Sequence, residues 1–473
     1  MKLQESAAMH AKTLQKPTMK CRQTERSDPQ AELFKVELTR FIDPQHAMVK
    51  LADRIDWNAY EESFAAMWCD DNGRPAIDTR LMVSLHYLKY TYDLSDESVC
   101  ESWLQNPYWQ YLSGMRYFQH EAPLDPSSMS RWRGRAGEAG MQELLQQTIR
   151  TGLDTNAIKP TQLQRVNIDT TVQEKHVRFP TDSRLYDRAR EVLVKAAKTQ
   201  NIPLRQTYSR KGKHLLAQQS RYAHARQYKR AAACTRKLRT LLGRTLRDIK
   251  RQLHRVPPES VLHSLLERAQ RIHDQQRHDK NKLYSMHAPE VECISKGKAH
   301  KKYEFGVKVS IATTSKGGWH LAALACPGNP YDGHTLAATV DQLLSNLGDQ
   351  APKPRHIFTD QGYRGHDYQG DITVHVDKKR RGNTAKTLWK WMKRRSAIEP
   401  GIGHLKAEHR MERNRLRGPQ GDRNNALLSA AGMNFAKLLK HMAKLWREFL
   451  LAEIRGIPPN ETPQTFFHLL HAA

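Results

Sequence analysis

The sequence predicts an α/β protein. A mixed sheet carries acids at the ends of its strands, follows an all-helical region, and is interrupted after its first strand by a large basic helical insertion. Three observations carry that expectation. Residues 164–172 (QRVNIDTTV) are rich in β-branched side chains, and about a hundred residues without strand character follow them. Further strand-like segments then gather between residues 302 and 376. Charge is also uneven along the 473 residues: 77 Lys and Arg against 49 Asp and Glu give +28. Residues 181–282 hold 26 Lys and Arg against 8 Asp and Glu, a net of +18.

Taken in order, residues 1–30 are polar and basic and are expected to be disordered. Residues 31–155 read as helical. Ile77, Leu81, Leu85 and Leu88 recur at spacings of four, four and three, which makes one apolar stripe. The next helix starts at a Ser95 cap, with Ser98 standing where a full capping box has Glu, and Val99, Trp103 and Leu104 follow. After a turn at Asp125-Pro126, Ser127 is expected to cap a segment carrying Arg131, Arg133 and Arg135. Short helices, tight turns and a final Arg-bearing helix resemble a helix-turn-helix DNA reader. An ordinary helical bundle with a solvated arginine face has the same pattern, and the residues leave both open.

The strand at 164–172 lies in a stretch, 156–180, that belongs with residues 283–455 as one catalytic unit. Between them, 181–282 reads as an inserted hairpin of two helices. Leu238, Leu242, Leu246, Ile249 and Leu253 form the first stripe, and Leu262, Leu265, Leu266, Ala269 and Ile272 the second, with Pro257-Pro258 as the break. Strands resume at 302–314 and 319–329, which flank the turn residues Lys316-Gly317-Gly318. Asp332 reads as the N-cap of a helix running to Leu347. Residues 355–363 and 371–376 are short strands. From about 385 to 455 the chain is mainly helical, broken at Gly418 to Gly421, and 456–473 form a tail. The order is strand, insertion, strand, strand, helix, strand, short helix, strand, helices, which is that of an RNase H-like core.

Several classes are disfavoured by what the sequence lacks. The six cysteines are scattered without a C-x-x-C pair, which argues against a zinc ribbon or a disulfide framework and suits a reducing cytoplasm. No apolar run approaches the ~18 residues of a membrane helix, and the first residues lack a signal-peptide core, so no membrane partner is expected. There is no H-E-x-x-H, and no G-x-x-x-x-G-K-[ST] loop, so no nucleotide cofactor is expected. The positive excess instead points to a polyanion, and a nucleic acid is the expected partner.

Chemistry enters through the acids. Asp169 ends the run Val166-Asn167-Ile168, and Asp360 follows Ile357-Phe358-Thr359 in the same way. On parallel neighbouring strands the two carboxylates would meet at one sheet edge, where they repel unless divalent cations stand between them. A third carboxylate would complete a two-metal site for in-line phosphoryl displacement, served by two Mg²⁺ ions for which Mn²⁺ substitutes. Glu399, Glu408 and Glu412 are the choices. Glu399 is preferred, because Arg395 lies one turn before it and Lys406 two turns after, which places a metal carboxylate between two phosphate-binding cations on one helix face. The plain alternative is an exposed acid salt-bridged to Arg395.

Arg395, Glu399 and Lys406 satisfy R-x-x-x-E-x-x-x-x-x-x-K, and Asp360, Gly362 and Tyr363 satisfy D-x-G-Y. These signatures resemble those of the DDE transposases of bacterial insertion sequences. The strings IEPGIGHLKAEHR, LSDESVCESWLQNPYWQYLSG and PGNPYDGHTL look like the insertion-sequence-five group in particular. The resemblance runs from about residue 70 to 445. One position departs: Met392 stands where the signature usually has Tyr, and Trp391 beside it is the candidate for that role at the DNA end. The resemblance implies a bacterial, nucleoid-associated enzyme that cuts at the terminal inverted repeats of its own element and joins the 3′ ends to target DNA. It implies a homodimer on double-stranded DNA. From the concentrated charge of the insertion, Arg226, Lys229 and Arg230 are expected to meet phosphates. The alternatives are a catalytically silent DNA-binding regulator of transposase descent, and a metal-dependent nuclease without strand transfer.

Overall fold

The structure, a computed structural model, describes residues 35–454 apart from 66, 68–75, 256, 258, 296–300 and 378–385. The tails expected at 1–30 and 456–473, and Pro258 of the expected helix break, lie outside the described residues.

The first half is helical, as its stripes predict: α1 (Ala47–Ala52), α2 (Trp57–Ala65), α3 (Thr79–Thr91), α4 (Asp96–Gln105), α5 (Pro107–Leu112), α6 (Pro126–Asp154) and α7 (Pro160–Leu163). Ser95 caps α4, its hydroxyl accepting from the Ser98 amide at 3.0 Å. The cap of α6 is Asp125 rather than Ser127: the Asp125 carboxylate accepts from the Ser127 amide at 2.9 Å. Pro126 then takes the first helical position, where its missing N–H would have had no partner anyway. Gly137, at φ 63°, kinks α6, a conformation that costs glycine little.

Among the described residues six strands make one mixed sheet. β1 (Arg165–Glu174) pairs antiparallel with β3 (Tyr303–Thr314) on one side and parallel with β5 (His356–Thr359) on the other. β6 (Thr373–Val376) continues the parallel run beyond β5. On the far edge of β3, β2 (Glu292–Ser295) and β4 (His320–Cys326) pair with successive stretches of the same long strand. Gly306 is needed where β3 passes β1, since a Cβ there would lie 1.9 Å from the Gln173 carbonyl oxygen.

After β1 the insertion builds four helices, α8 (Asp182–Thr199), α9 (Ser209–His224), α10 (Tyr228–Arg251) and α11 (Val261–Asp274), not the two of the expected hairpin. The two stripes read from the sequence are α10 and α11; α8 and α9 add Leu185, Leu193 and Leu215 to the same closed cluster. That cluster is separate from the main core. The two ends of the insertion meet on one ring: Phe179 and Tyr284 both pack on Phe305, at 5.2 and 5.4 Å.

The main core is continuous. It runs from Met48 of α1 through Leu85 and Trp103 to Ile168 and Val309 of the sheet. It extends on to Val340 of α12 (Leu336–Leu347) and Phe435 of the last helix. The amino-terminal helices are therefore fused to the sheet through shared apolar packing. After β6 come α13 (Lys386–Lys393), α14 (Ile398–Glu408) and α15 (Gly418–Ile454). The break expected at Gly418 to Gly421 is instead the start of α15, and the interruption precedes it. From α15, Asn434 extends the ladder of β4 with a side chain: its Oδ1 accepts from the His320 amide at 3.0 Å, and its Nδ2 donates to the His320 carbonyl at 2.8 Å.

Candidate active site

The parallel pairing of β1 with β5 places Asn167 beside Phe358, so two residues later Asp169, in the middle of β1 rather than at its end, stands level with Asp360, which follows the last residue of β5. β6 repeats the pattern. Thr359 pairs with Val376, and the amide of Asp377 donates to the Thr359 carbonyl at 2.9 Å, which brings a third acid to this edge. Asp377 is not among the acids expected from the sequence, although a short strand-like run, Ile372 to Val376, precedes it as Ile357 to Thr359 precedes Asp360.

Asp360 also serves its turn: one carboxylate oxygen accepts from the Gly362 amide at 2.9 Å and caps a single 3-10 turn, Gln361–Tyr363. Burial raises its pKa above the ordinary carboxylate value, and the charges of Asp332 and Asp377 push the same way, against the Gly362 amide and Arg395. Like charges gathered in a half-buried place favour a cation there.

The cation present is Arg395. Its guanidinium reaches Asp169 at 3.8 Å, Glu399 at 3.8 Å and Asp377 at 4.0 Å. It is held there by its backbone: Asn167 on β1 donates to the carbonyls of Arg394 and Arg395 at 3.2 and 3.4 Å, and Arg394 donates to the Ser315 carbonyl at 2.9 Å. Arg395 lies in a 3-10 turn, Arg394–Ala397, between α13 and α14. Pro400 falls in the first turn of α14, where it needs no hydrogen-bond donor. Glu399 and Lys406 lie on α14 itself. Of the three candidate third acids Glu399 is the one tied to Asp169 through a shared arginine, whereas Glu408 is engaged by His404 at 2.6 Å. The Glu399 side chain is 63% exposed, at the rim of the site.

Asp332 is not a helix cap. The α12 N-cap is Thr335, and Asp332 instead accepts from Lys308 at 2.9 Å and from Thr170, the neighbour of Asp169, at 3.0 Å. A Cβ on Gly362 would stand 3.0 Å from an Asp360 oxygen and 3.1 Å from an Asp332 oxygen, so the two carboxylates flank this glycine. The helix-cap reading failed because the pairing that draws Asp332 inward, with Lys308, spans a β-hairpin.

The residues expected to touch DNA fare unequally. Arg133 is buried and forms a two-pronged ion pair with Asp96, at 2.9 and 2.6 Å, which Lys89 shares from the other side at 2.7 Å. It cannot act with Arg131, which is exposed, and Arg135, which is half-buried, as one reading face. Trp391 packs on the sheet, 5.5 Å from His356 and 6.4 Å from Phe358, with the Arg165 guanidinium 4.7 Å over its ring. Its ring is half-buried there. Arg226, Lys229 and Arg230 lie exposed at the turn between α9 and α10, far along the insertion from the acids.

The donors suit a hard divalent cation. All are carboxylate oxygens, and positive charge is already drawn among them in the form of Arg395. Among the described residues no three of His, Cys, Asp and Glu stand close enough together to hold a metal ion as they are, so Glu399 would have to turn inward to complete the set. Among those residues, too, no helix is long and apolar enough to cross a membrane.

Comparison with known proteins agrees with this reading of the fold. Residues 36–135 match the family described as Transposase domain (DUF772), and residues 271–435 match the Transposase DDE domain. A protein of Rhizobium meliloti, described as uncharacterized protein ORF8 in the nfe locus, is 49% identical over 197 residues, which cover 42% of this chain and 95% of that protein. No solved structure matches. The matched segments cover the helical region and the greater part of the acid-bearing core in the order amino to carboxyl, and the chain belongs to the DDE transposases of insertion sequences, with an RNase H-like core.

Proposed function

We propose that this transposase cuts at the terminal inverted repeats of its own element and joins the freed 3′ ends to target DNA, as the insertion-sequence-five group resemblance implies. The observation that carries the proposal is the convergence of Asp169, Asp377 and Glu399 on the one guanidinium of Arg395, beside Asp360. The family uses divalent metal ions, and two Mg²⁺ ions, replaceable by Mn²⁺, would activate the attacking oxygen and stabilise the leaving one. Asp169 and Asp360 offer fixed carboxylate oxygens for them, and Glu399 closes the set from α14. Arg395, displaced from the acids, turns to the scissile phosphate, and Lys406 on α14 binds its neighbour. The attacking group is first water and then a DNA hydroxyl, with no covalent protein–DNA intermediate.

In this reading 31–155 holds the element ends, 156–180 with 283–455 does the chemistry, and 181–282 grips phosphates without reading sequence. The enzyme works as a homodimer on DNA in the bacterial cytoplasm. The test is to incubate the protein with the DNA flanking its own gene and Mg²⁺, then map cuts and joints. Asp169→Ala, Asp360→Ala and Glu399→Ala should each abolish cleavage and leave end binding largely intact. Full cleavage by the Glu399→Ala protein moves the third ligand to Glu408 or Glu412. Cutting without joining makes the protein a nuclease, and end binding without cutting makes it a regulator.

A further inference from the structure

Away from the acids, a cleft of about 950 Å³ opens where the insertion meets the sheet. Its walls are the chain after β1, the first turns of α8 and α9, and the start of β3. The three acids on its walls are already answered: Glu174 by Lys301, Asp187 by Arg190 and Glu191 by Arg188. Arg178, Arg184, Lys213 and Arg413 are exposed, and none makes an ion pair among the described residues. Four uncompensated cations in one concavity call for an anion.

The second observation is aromatic. Phe179, on the wall of this cleft, is 57% exposed, although a phenyl ring gains by burial. It is fixed edge-on against Phe305, with the ring planes at 85°, and Tyr303 nearby is 41% exposed. A ring with solvent-facing surface among exposed guanidinium and ammonium groups, one of which (Arg184) donates to the Phe179 carbonyl at 3.3 Å, matches a ligand that alternates flat aromatic bases with phosphates. A cavity of this volume is that of a small-molecule site and admits about two or three nucleotides, not a duplex. The cleft begins at Glu174, five residues along β1 from Asp169, or about 17 Å at the rise of a strand.

We propose that this cleft binds a short unpaired stretch of the DNA strand that passes through the acid site, with a base stacked on Phe179 and the phosphates on Arg178, Arg184, Lys213 and Arg413. The proposal rests on the DNA-processing reading above and adds to it a subsite for single-stranded DNA. The experiment measures fluorescence anisotropy of the full chain with a labelled ten-nucleotide oligothymidylate and, separately, with a labelled twenty-base-pair duplex at the same salt. Phe179→Ala should weaken the single strand by about tenfold, the loss expected for one stacked base, and leave the duplex within about twofold. The Arg184→Gln/Lys213→Gln double variant should do the same, and its exposed positions keep the test open if Phe179→Ala fails to fold. Equal losses for single strand and duplex, or no loss for either, overturn the cleft as a single-strand site. Wild-type protein that binds neither DNA overturns the DNA-processing reading itself.

Discussion

Replacing Arg133 by Met separates a reading arginine from a structural one. Arg133 is 4% exposed and gives Asp96 two charge-assisted hydrogen bonds, with a third to Ser130 at 2.9 Å. Removing one partner of a buried ion pair costs about 3–5 kcal/mol, because the other charge is left in a medium that cannot solvate it. Here Asp96 keeps Lys89 at 2.7 Å, so the lower end, about 3 kcal/mol, is expected. Asp96→Ala should cost more, about 5 kcal/mol, since it leaves Lys89 and Arg133 facing each other with no anion between them. Lys89 already feels both effects: burial and then the Arg133 charge bring its pKa down to about 8. The assay is urea unfolding followed by circular dichroism, paired with duplex binding across a salt series, with Arg131→Gln as the exposed control. If Arg133→Met unfolds at the wild-type midpoint but flattens the salt dependence of DNA binding, Arg133 contacts phosphate and the ion-pair account is wrong.

Other expectations follow from the same geometry. Arg395→Gln removes the cation that stands among Asp169, Asp377 and Glu399, so Mg²⁺ should bind several-fold tighter in calorimetry while cleavage falls; unchanged Mg²⁺ affinity would show that the arginine does not hold the metal's place. EDTA should abolish cleavage, and a zinc-selective chelator should not, because the donors are hard oxygens. Replacing Arg221, Arg226, Lys229, Arg230, Arg236 and Lys237 by Gln should weaken specific and non-specific DNA alike, flattening the log K against log[salt] slope by about 0.9 per lost contact. A variant that keeps its slope but sediments as a monomer assigns the insertion to dimerisation instead. Gly306→Ala should prevent β1 and β3 from pairing, since its Cβ would lie 1.9 Å from the Gln173 carbonyl oxygen; a soluble protein with a wild-type melting curve excludes that account.

The sequence by itself determined what is periodic or punctuated. The stripe ending in Leu88, the Ser95 cap, the hairpin at Lys316 to Gly318 and the strand-then-Asp signal of Asp360 depend on neighbours in the chain, and each element formed where those signals stood, whereas β1 runs past Asp169 to Glu174. Local pattern is legible because helix and strand impose their own repeats. Only the tertiary structure decided which polar groups face inward. Arg133 and Asp332 carry the sequence signature of a surface arginine and a helix cap. Each is drawn inside by a partner remote in the chain, Asp96 and Lys308, whose charge repays desolvation only once the packing brings them together. The same holds for the two extra helices of the insertion. Arginines and lysines dilute their apolar stripes, so α8 and α9 become recognisable only when α10 and α11 offer a core for Leu185, Leu193 and Leu215 to enter. Arg395 combines both cases: its spacing to Glu399 is local, but its reach to Asp169 exists because Asn167 of β1 binds the turn that carries it.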